Sequence, residues 1–398
     1  MIKWVKKLAV IATTSLLLGA CSSNGNDEVE VAPLPVFEAT YQPKVAWTTS
    51  NVGLGVEDYY SQLQPAVDDN AVYVAARDGV VKAFSINKGE VLWTVDLSTH
   101  ESNALNAATR LSGGIALGQD SLFIGTENAQ VFALSKQDGH IKWMTKVSGE
   151  VIAQPVYSNA KVVIHTTRGD LIALDSASGD EIWNLPNTQP KLTLRGSATP
   201  SIEQGGIVYG RADGYIAATL LETGQRLWQL PIARAHGSTE LDRIVDADMQ
   251  PVIINNIIYA LAYNGNLVAI DLLKGQLLWS KKYSGFNNIT VAGQDIYLTD
   301  YRGYIFAVSR NDGKQRWVNK ELTYRNVTGV TVANEYIVVG DAEGYLHWIH
   351  RESGKFVAQQ ALDAGGLYKE PISTDTHLYL QTRDGKLIAI EKPILNVE

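Results

Sequence analysis

Residues 213–228 read D-G-Y-I-A-A-T-L-L-E-T-G-Q-R-L-W, and four positions in that stretch, Gly214, Ala218, Gly224 and Trp228, recur along the chain. The same Gly, Ala, Gly, Trp spacing falls on Gly79, Ala83, Gly89 and Trp93, on Gly169, Ala173, Gly179 and Trp183, on Gly265, Ala269, Gly275 and Trp279, and on Gly303, Ala307, Gly313 and Trp317. Two copies depart from it. In one, Ala129 replaces the first Gly while Ala133, Gly139 and Trp143 hold; in the other, Gly344 and Gly354 hold but Trp348 and Ala358 exchange places. An eighth copy, Gly385 and Ala389, calls for a Trp one residue beyond Glu398.

The first positions fall at 79, 129, 169, 214, 265, 303, 344 and 385, on average about 44 residues apart, a period that belongs to repeat architectures. Within a unit, short β-branched and aromatic runs alternate with Asp-Gly, Asn-Gly or Arg-Gly pairs that mark tight hairpins. Four strands of about six residues with their turns fill such a unit. The expected fold is all-β: an eight-bladed β-propeller of four-stranded antiparallel blades. The first Gly closes the turn between the second and third strands and the second Gly the turn into the fourth, while the Trp buries its ring between blades and its N–H needs an acceptor. Trp348 and Ala358 are read as a volume swap across one blade contact. Fourteen residues before the first position stands Pro65, Pro155, Pro200, Pro251 or Pro371 in five units, and Ile115, Ile289 or Val330 in the others. Proline donates no ladder hydrogen bond, so it suits the innermost strand, whose free edge faces the channel. Trp47 can supply the Trp that the eighth unit lacks, so an N-terminal strand is expected to close the ring and remove its open edges.

The chain thus divides into a signal peptide over 1–20, a modified Cys21 with a flexible tether over 21–43, and the propeller over 44–398. Lys3, Lys6 and Lys7 precede an apolar run from Leu8 to Leu18. Leu18-Gly19-Ala20-Cys21 resembles the bacterial lipoprotein signal, which implies lipidation of Cys21, and Ser22 after it implies transfer to the outer membrane. Ser22 to Pro43 is polar and acidic, contains proline and has no sustained period. Cys21 is the only cysteine, so no intrachain disulfide can form. The formal charge of −8 becomes −11 once the three signal lysines are removed, and no dense Lys/Arg run exists, which argues against nucleic acid as a partner. No later apolar run approaches the roughly 18 residues of a membrane helix, so attachment is expected through lipid alone.

Catalytic and metal motifs are not found. His347 and His350 are three apart in an expected strand and point to opposite faces; Asp246 and Asp248 share a face but lack the glycine and distal Glu of an EF-hand loop. No Gly-x-Ser-x-Gly, Walker loop or Cys-His pair is present. Neither a metal nor a cofactor is expected.

Ala173-Leu174-Asp175 with Gly179 and Trp183, and Ala269-Ile270-Asp271 with Gly275 and Trp279, resemble the tryptophan-docking repeats of pyrroloquinoline-quinone dehydrogenases. That family uses a vicinal cysteine pair and a calcium site at the ring centre. The single Cys21 departs from that pattern, which leaves a periplasmic quinone-dependent dehydrogenase, or a degenerate relative of one, as the alternative function. A closer resemblance lies between the units. Leu192-Thr193-Leu194-Arg195-Gly196, Gly237 to Arg243 leading to Asp246-Ala247-Asp248, Ala260 to Leu267, and Gly340 to Trp348 are similar to the BamB family, the lipoprotein propellers of the outer-membrane β-barrel assembly machine. The resemblance covers essentially the whole mature chain. It implies a non-catalytic scaffold on the periplasmic face of the outer membrane. Such a scaffold binds the periplasmic POTRA region of BamA within the Bam complex and assists folding and insertion of outer-membrane proteins. In that family the two loop motifs are associated with BamA binding, which carries over to Leu192, Leu194, Arg195, Asp246 and Asp248. Unfolded outer-membrane protein clients are a second partner class, taken by β-augmentation at exposed strand edges.

Spacing adds a physical reading. Arg195 stands 19 residues before Gly214 and Asp246 stands 19 before Gly265, so both are expected on one rim, at equivalent places on adjacent blades. An Arg and an Asp so placed can form a rim ion pair, which is individually weak. Leucines beside an arginine also suit the centre of a protein interface. The resemblance favours the interface.

Overall fold

Antiparallel hairpins of the expected length build eight four-stranded sheets in chain order. The structure, a computed structural model, describes residues 30–50, 52, 61, 63–99, 109–194, 197–236, 238–239, 243–362 and 365–394. Blade 1 comprises β2 (Ala66–Val67), β3 (Ala71–Ala75), β4 (Val80–Ser85) and β5 (Val91–Asp96), and blades 2 to 7 repeat that order with β6 to β29. In blades 1 and 4 the second and third strands are nearly all buried and the fourth is the most exposed, whereas the fourth strand of blade 7 is buried over its first three residues; the core lies between blades. Four of the prolines noted above, Pro155, Pro200, Pro251 and Pro371, stand immediately before an innermost strand, and Pro65 stands before β2.

Blade 8 is closed by the N-terminal strand. β1 (Val45–Thr49) pairs antiparallel with β32 (Leu387–Glu391), with Trp47 opposite Ala389, and β31 (His377–Gln381) and β30 (Ile372–Ser373) complete the sheet. Trp47 therefore fills the Trp position of blade 8, opposite Ala389 as Trp228 is opposite Ala218.

The tryptophans form one repeated contact. The indole N–H of Trp47, Trp93, Trp143, Trp183, Trp228, Trp279 and Trp317 each donates to a backbone carbonyl of the next blade, at Ile86, Lys136, Ser176, Leu221, Leu272, Arg310 and Arg351, over 2.8–3.1 Å. The second Gly of the next unit is what lets the ring in. A Cβ on Gly224 would lie 2.7 Å from the Trp183 ring, and the equivalent glycines stand equally close to the preceding blade's Trp. Gly224 also has φ +69°, so the position demands glycine for both its conformation and its contact. At the first Gly position the conformation is imposed even without glycine: Ala129 takes φ 57°.

The contact between blades 7 and 8 differs. Ala358 of β29 (Phe356–Ala361) occupies the Trp position, opposite Trp348 of β28 (Tyr345–His350), which is fully buried. Swapping volumes within the blade removes the ring that would reach blade 8, and the N-terminal segment fills the space. Tyr41 packs into the core shared by blades 7 and 8, its ring 5.0 Å from Trp348 and 5.1 Å from Tyr336. The N–H groups of Thr40 and Tyr41 both donate to the Val357 carbonyl, at 2.9 and 3.1 Å, and Phe37 stacks on Phe356 at 5.5 Å. Further back, the Ala32 N–H donates to Thr323 and the Ala32 carbonyl accepts from Arg325. The stretch expected to be a free tether up to residue 43 is therefore bound along blade 7 from Ala32 to Tyr41, because Phe37 and Tyr41 bury rings that a solvated tether would expose. Cys21 and the signal segment lie outside the described residues.

Removing residues 41–50 takes away β1, Trp47 and Tyr41 together, so the thermal melt should lose many degrees or its cooperativity; an unchanged melting temperature would contradict closure. Tyr41→Ala alone should cost on the order of 2 kcal/mol in denaturant unfolding.

Candidate functional site

In an antiparallel four-stranded blade, the turns between second and third strands share a rim with the connections that run from one blade to the next. Both singled-out loops are such connections. Residues 186–200 join β13 (Glu181–Leu185) of blade 3 to β14 (Ser201–Glu203) of blade 4, and residues 232–251 join β17 (Arg226–Pro231) of blade 4 to β18 (Val252–Ile254) of blade 5. Equivalence by spacing is visible in hydrogen bonds. The residue 19 before the first repeat position accepts an N–H from the residue two before it in five blades: Glu127 to Arg110, Thr167 to Glu150, Tyr263 to Asp246, Ala342 to Arg325 and Arg383 to Gly366, at 2.9–3.2 Å. Asp246 thus sits where the phase predicts. Arg195, like Gly196, Gly237 and Glu240 to Asp242, lies outside the described residues.

The Asp-Ala-Asp segment is pressed into the ring. Ile244, Val245, Asp246, Ala247 and Met249 are buried, and the Ala247 N–H donates to the Arg211 carbonyl of blade 4 at 3.1 Å. Gly210 makes this approach possible, since a Cβ there would lie 1.7 Å from the Ala247 carbonyl oxygen. Asp246 is only 1% exposed. Its Oδ2 accepts the backbone N–H of Leu194, which ties the two loops together across adjacent blades. Leu192 is 43% exposed while Leu194 is half-buried, so the first leucine stands free and the second is anchored. Behind the loop, buried His165 donates its Nδ1 proton to the Ala198 carbonyl at 3.0 Å, a bond in which the carbonyl can only accept. Burial holds His165 below its ordinary pKa, with the nearby Arg211 charge acting the same way, so it serves as a neutral support.

The two carboxyls are poorly compensated. Asp246 Oδ1 and Asp248 Oδ2 are enclosed and have no hydrogen-bond partner among the described residues. Burial pushes Asp246 up to about 7, against the lowering effect of the Leu194 N–H. Asp248 is pushed up to about 8, by burial first and by the neighbouring Asp246 charge second. The pair is suited to hold a proton near neutrality, or to accept a cationic or N–H donor brought by another group.

Blade 7 shows what the same place holds when it is satisfied internally. Arg325, 19 residues before Gly344, bonds Asp341 through Nε at 2.8 Å, and Asp341 also meets His347 Nε2 at 3.0 Å. All three are buried. The position equivalent to Asp341 in blade 4 is Arg211, so the arrangement cannot be repeated there with Arg195. The blade 7 cluster, together with Gly210 and His165, escaped sequence reasoning; the same 19-residue offset read on Arg325 could have found the cluster. His347 and His350 lie on β28 with only His347 fully buried, in keeping with opposite faces. Among the described residues no group of three His, Cys, Asp or Glu could hold a metal ion, and no helix is long and apolar enough to cross a membrane.

These features define the class of protein as a tryptophan-docked eight-bladed β-propeller with two rim loops joined by the bond from the Leu194 N–H to Asp246. Several solved structures share the fold. A BamB crystal structure from Moraxella catarrhalis aligns with TM-score 0.78 at 24% identity, covering 88% of this chain and 100% of that one. A europium-containing methanol dehydrogenase aligns with TM-score 0.71 at 14% identity, covering 88% and 93%. At these identities the likeness concerns the fold alone. Sequence comparison is more specific. The family model described as outer membrane protein assembly factor BamB matches residues 40–109 and 77–319. Curated proteins named outer membrane protein assembly factor BamB are 40% identical over 391 residues in Yersinia pestis, covering 97% of this chain and 99% of that protein. The one from Escherichia coli is 42% identical over 378 residues, covering 94% and 96%. The chain belongs to the BamB family.

The raised carboxyl pKa values set a sign for stability. Folded Asp246 and Asp248 hold protons that the unfolded chain releases near the ordinary value of 3.8, so stability is greatest below about pH 4 as far as this pair is concerned and falls as pH rises toward 7–8. Asp248→Asn should therefore raise the melting temperature of the isolated protein strongly at pH 8 and much less at pH 5. Equal shifts at both pH values would contradict an uncompensated pair.

Proposed function

We propose that this chain is a non-catalytic scaffold of outer-membrane protein assembly. It binds BamA through the loop carrying Leu192, Leu194 and Arg195 together with Asp246 and Asp248, and so assists folding and insertion of outer-membrane β-barrels. The observation that carries the site is the union of the two loops. A half-exposed leucine stands beside a second one whose backbone is bonded to a buried, under-compensated carboxylate on the adjacent blade. An apolar anchor next to groups that want a donor is the composition that dominates binding energy at interfaces. The relatives' name, outer membrane protein assembly factor, supports the biological setting.

Anchorage is proposed through lipidated Cys21 on the periplasmic face of the outer membrane.

The test is co-purification with BamA from solubilised membranes, or titration with its soluble periplasmic region. Leu192→Ala and Arg195→Ala should each weaken binding by about tenfold or more while the melting temperature stays within a few degrees of the parent. Full binding by both variants would overturn the site assignment.

A further inference from the structure

The same rim carries a second feature that the Leu192 site does not use. Between blades 5 and 6 lies a cleft of about 740 Å³, lined by His236, Asn264, Lys282, Tyr283, Tyr301 and Arg302 among others. Its volume falls within the roughly 300–1,000 Å³ of ligand-enclosing sites. A shallower hollow of about 280 Å³ shares His236, Asn264 and Lys282 with it and extends it past Arg234 to Pro231 at the end of blade 4. The feature is thus a groove across three blades.

Its walls are both aromatic and cationic. Tyr283 meets Phe306 edge to face at 5.5 Å and forms a fixed apolar wall. Tyr301 is 57% exposed, and Phe286, in the same loop as Tyr283, is 51% exposed. The only carboxylate among the described lining residues is Asp300, and it is committed: Arg302 bonds its Oδ2 through Nε and Nη2 at 3.0 and 2.8 Å. That bidentate pair also lays the Arg302 guanidinium over Tyr304 at 4.3 Å and near Tyr301 at 5.5 Å. Lys282 and Arg234 have exposed positive charge with no carboxylate partner among the described residues. A cationic groove is out of character for a chain with 42 acidic and 34 basic residues. Local excess charge of one sign beside exposed rings marks a surface built for an oppositely charged partner.

We propose that this groove is a docking site for an acidic polypeptide segment that carries an aromatic or large apolar side chain. The segment's carboxylates meet Lys282 and Arg234, and its ring lies against Tyr301 and Tyr283. Asn264 connects the groove to the neighbouring loop. Its side-chain amide donates to the Ile244 carbonyl at 3.2 Å, two residues from Asp246, and its backbone N–H donates to Ser284 Oγ at 3.1 Å. The groove therefore lies beside the proposed BamA site on the same rim, and an occupant of one does not need the other.

Fluorescence anisotropy with the full mature protein tests this directly, using a labelled twelve-residue peptide that alternates Glu or Asp with Phe, and a control in which Lys replaces every acidic residue. The acidic peptide should bind saturably, and the lysine peptide should not. Binding should weaken about tenfold with Lys282→Glu, severalfold with Tyr301→Ala, and markedly when salt is raised to 0.5 M. Lys88→Glu, on the opposite rim of blade 1, should leave it unchanged. Failure of the acidic peptide to saturate, or binding indifferent to Lys282→Glu in a folded variant, would overturn the proposal. So would Lys282-dependent binding to anionic phospholipid vesicles without peptide binding, which would assign the groove to a lipid surface. Because the Leu192→Ala and Arg195→Ala variants keep the groove intact, they should bind the peptide normally, which separates this result from the fate of the BamA site.

Discussion

One indole reaching from each blade to the next is the interaction on which the ring depends. A propeller blade has two apolar faces and cannot bury both alone, so its stability rests on its neighbours. Here seven junctions use the same device: an indole N–H bonded to a neighbouring carbonyl, with its ring seated on a glycine that has no Cβ to obstruct it. Burying a ring of that size is worth on the order of 3 kcal/mol. The eighth junction must be made differently, because Ala358 offers no ring to blade 8. The chain solves it with Tyr41, from the segment that leads into the closing strand. Closure and sealing are thus two actions of one N-terminal stretch.

The regularity of the ring is also what makes its irregular parts visible. Fixed spacing assigns Asp246 and Arg325 to equivalent rim positions, and their environments differ sharply. Arg325 is enclosed with Asp341 and His347, and Arg325 further binds Glu343 and Ala32. Asp246 is enclosed with little beyond the Leu194 N–H and a like-charged neighbour. Burying carboxyls without full compensation is costly, and a fold tolerates it where the groups serve something else. That contrast, inside a single molecule, supports the proposal that the partner contact lies on the rim of blades 4 and 5, with the blade 7 cluster serving the fold.

Most of the fold was legible in sequence because packing of the ring repeats. Gly, Ala and Trp at constant intervals gave the blade count, the closure by Trp47 and the place of the prolines. Less was legible where packing is made by residues distant in sequence. Nothing in Pro35 to Pro43 shows a period, so Phe37 and Tyr41 read as tether, although each finds a ring to stack on, Phe356 and Tyr336, far away in the sequence. The loops followed the same rule: spacing put Asp246 on the correct rim, but its burial depends on Gly210 of the neighbouring blade, which no local pattern announces. The proposed partner of these loops follows from family resemblance, since leucines and carboxylates on a loop carry no unique signature.

Hydrogen exchange with mass spectrometry, with and without the soluble periplasmic region of BamA, tests the rim assignment most directly. The account predicts that protection on binding is concentrated in the peptides spanning 187–200 and 243–251, with the turns of the opposite rim unchanged. Protection confined to the opposite rim, with those two loops exchanging as in the free protein, would contradict it.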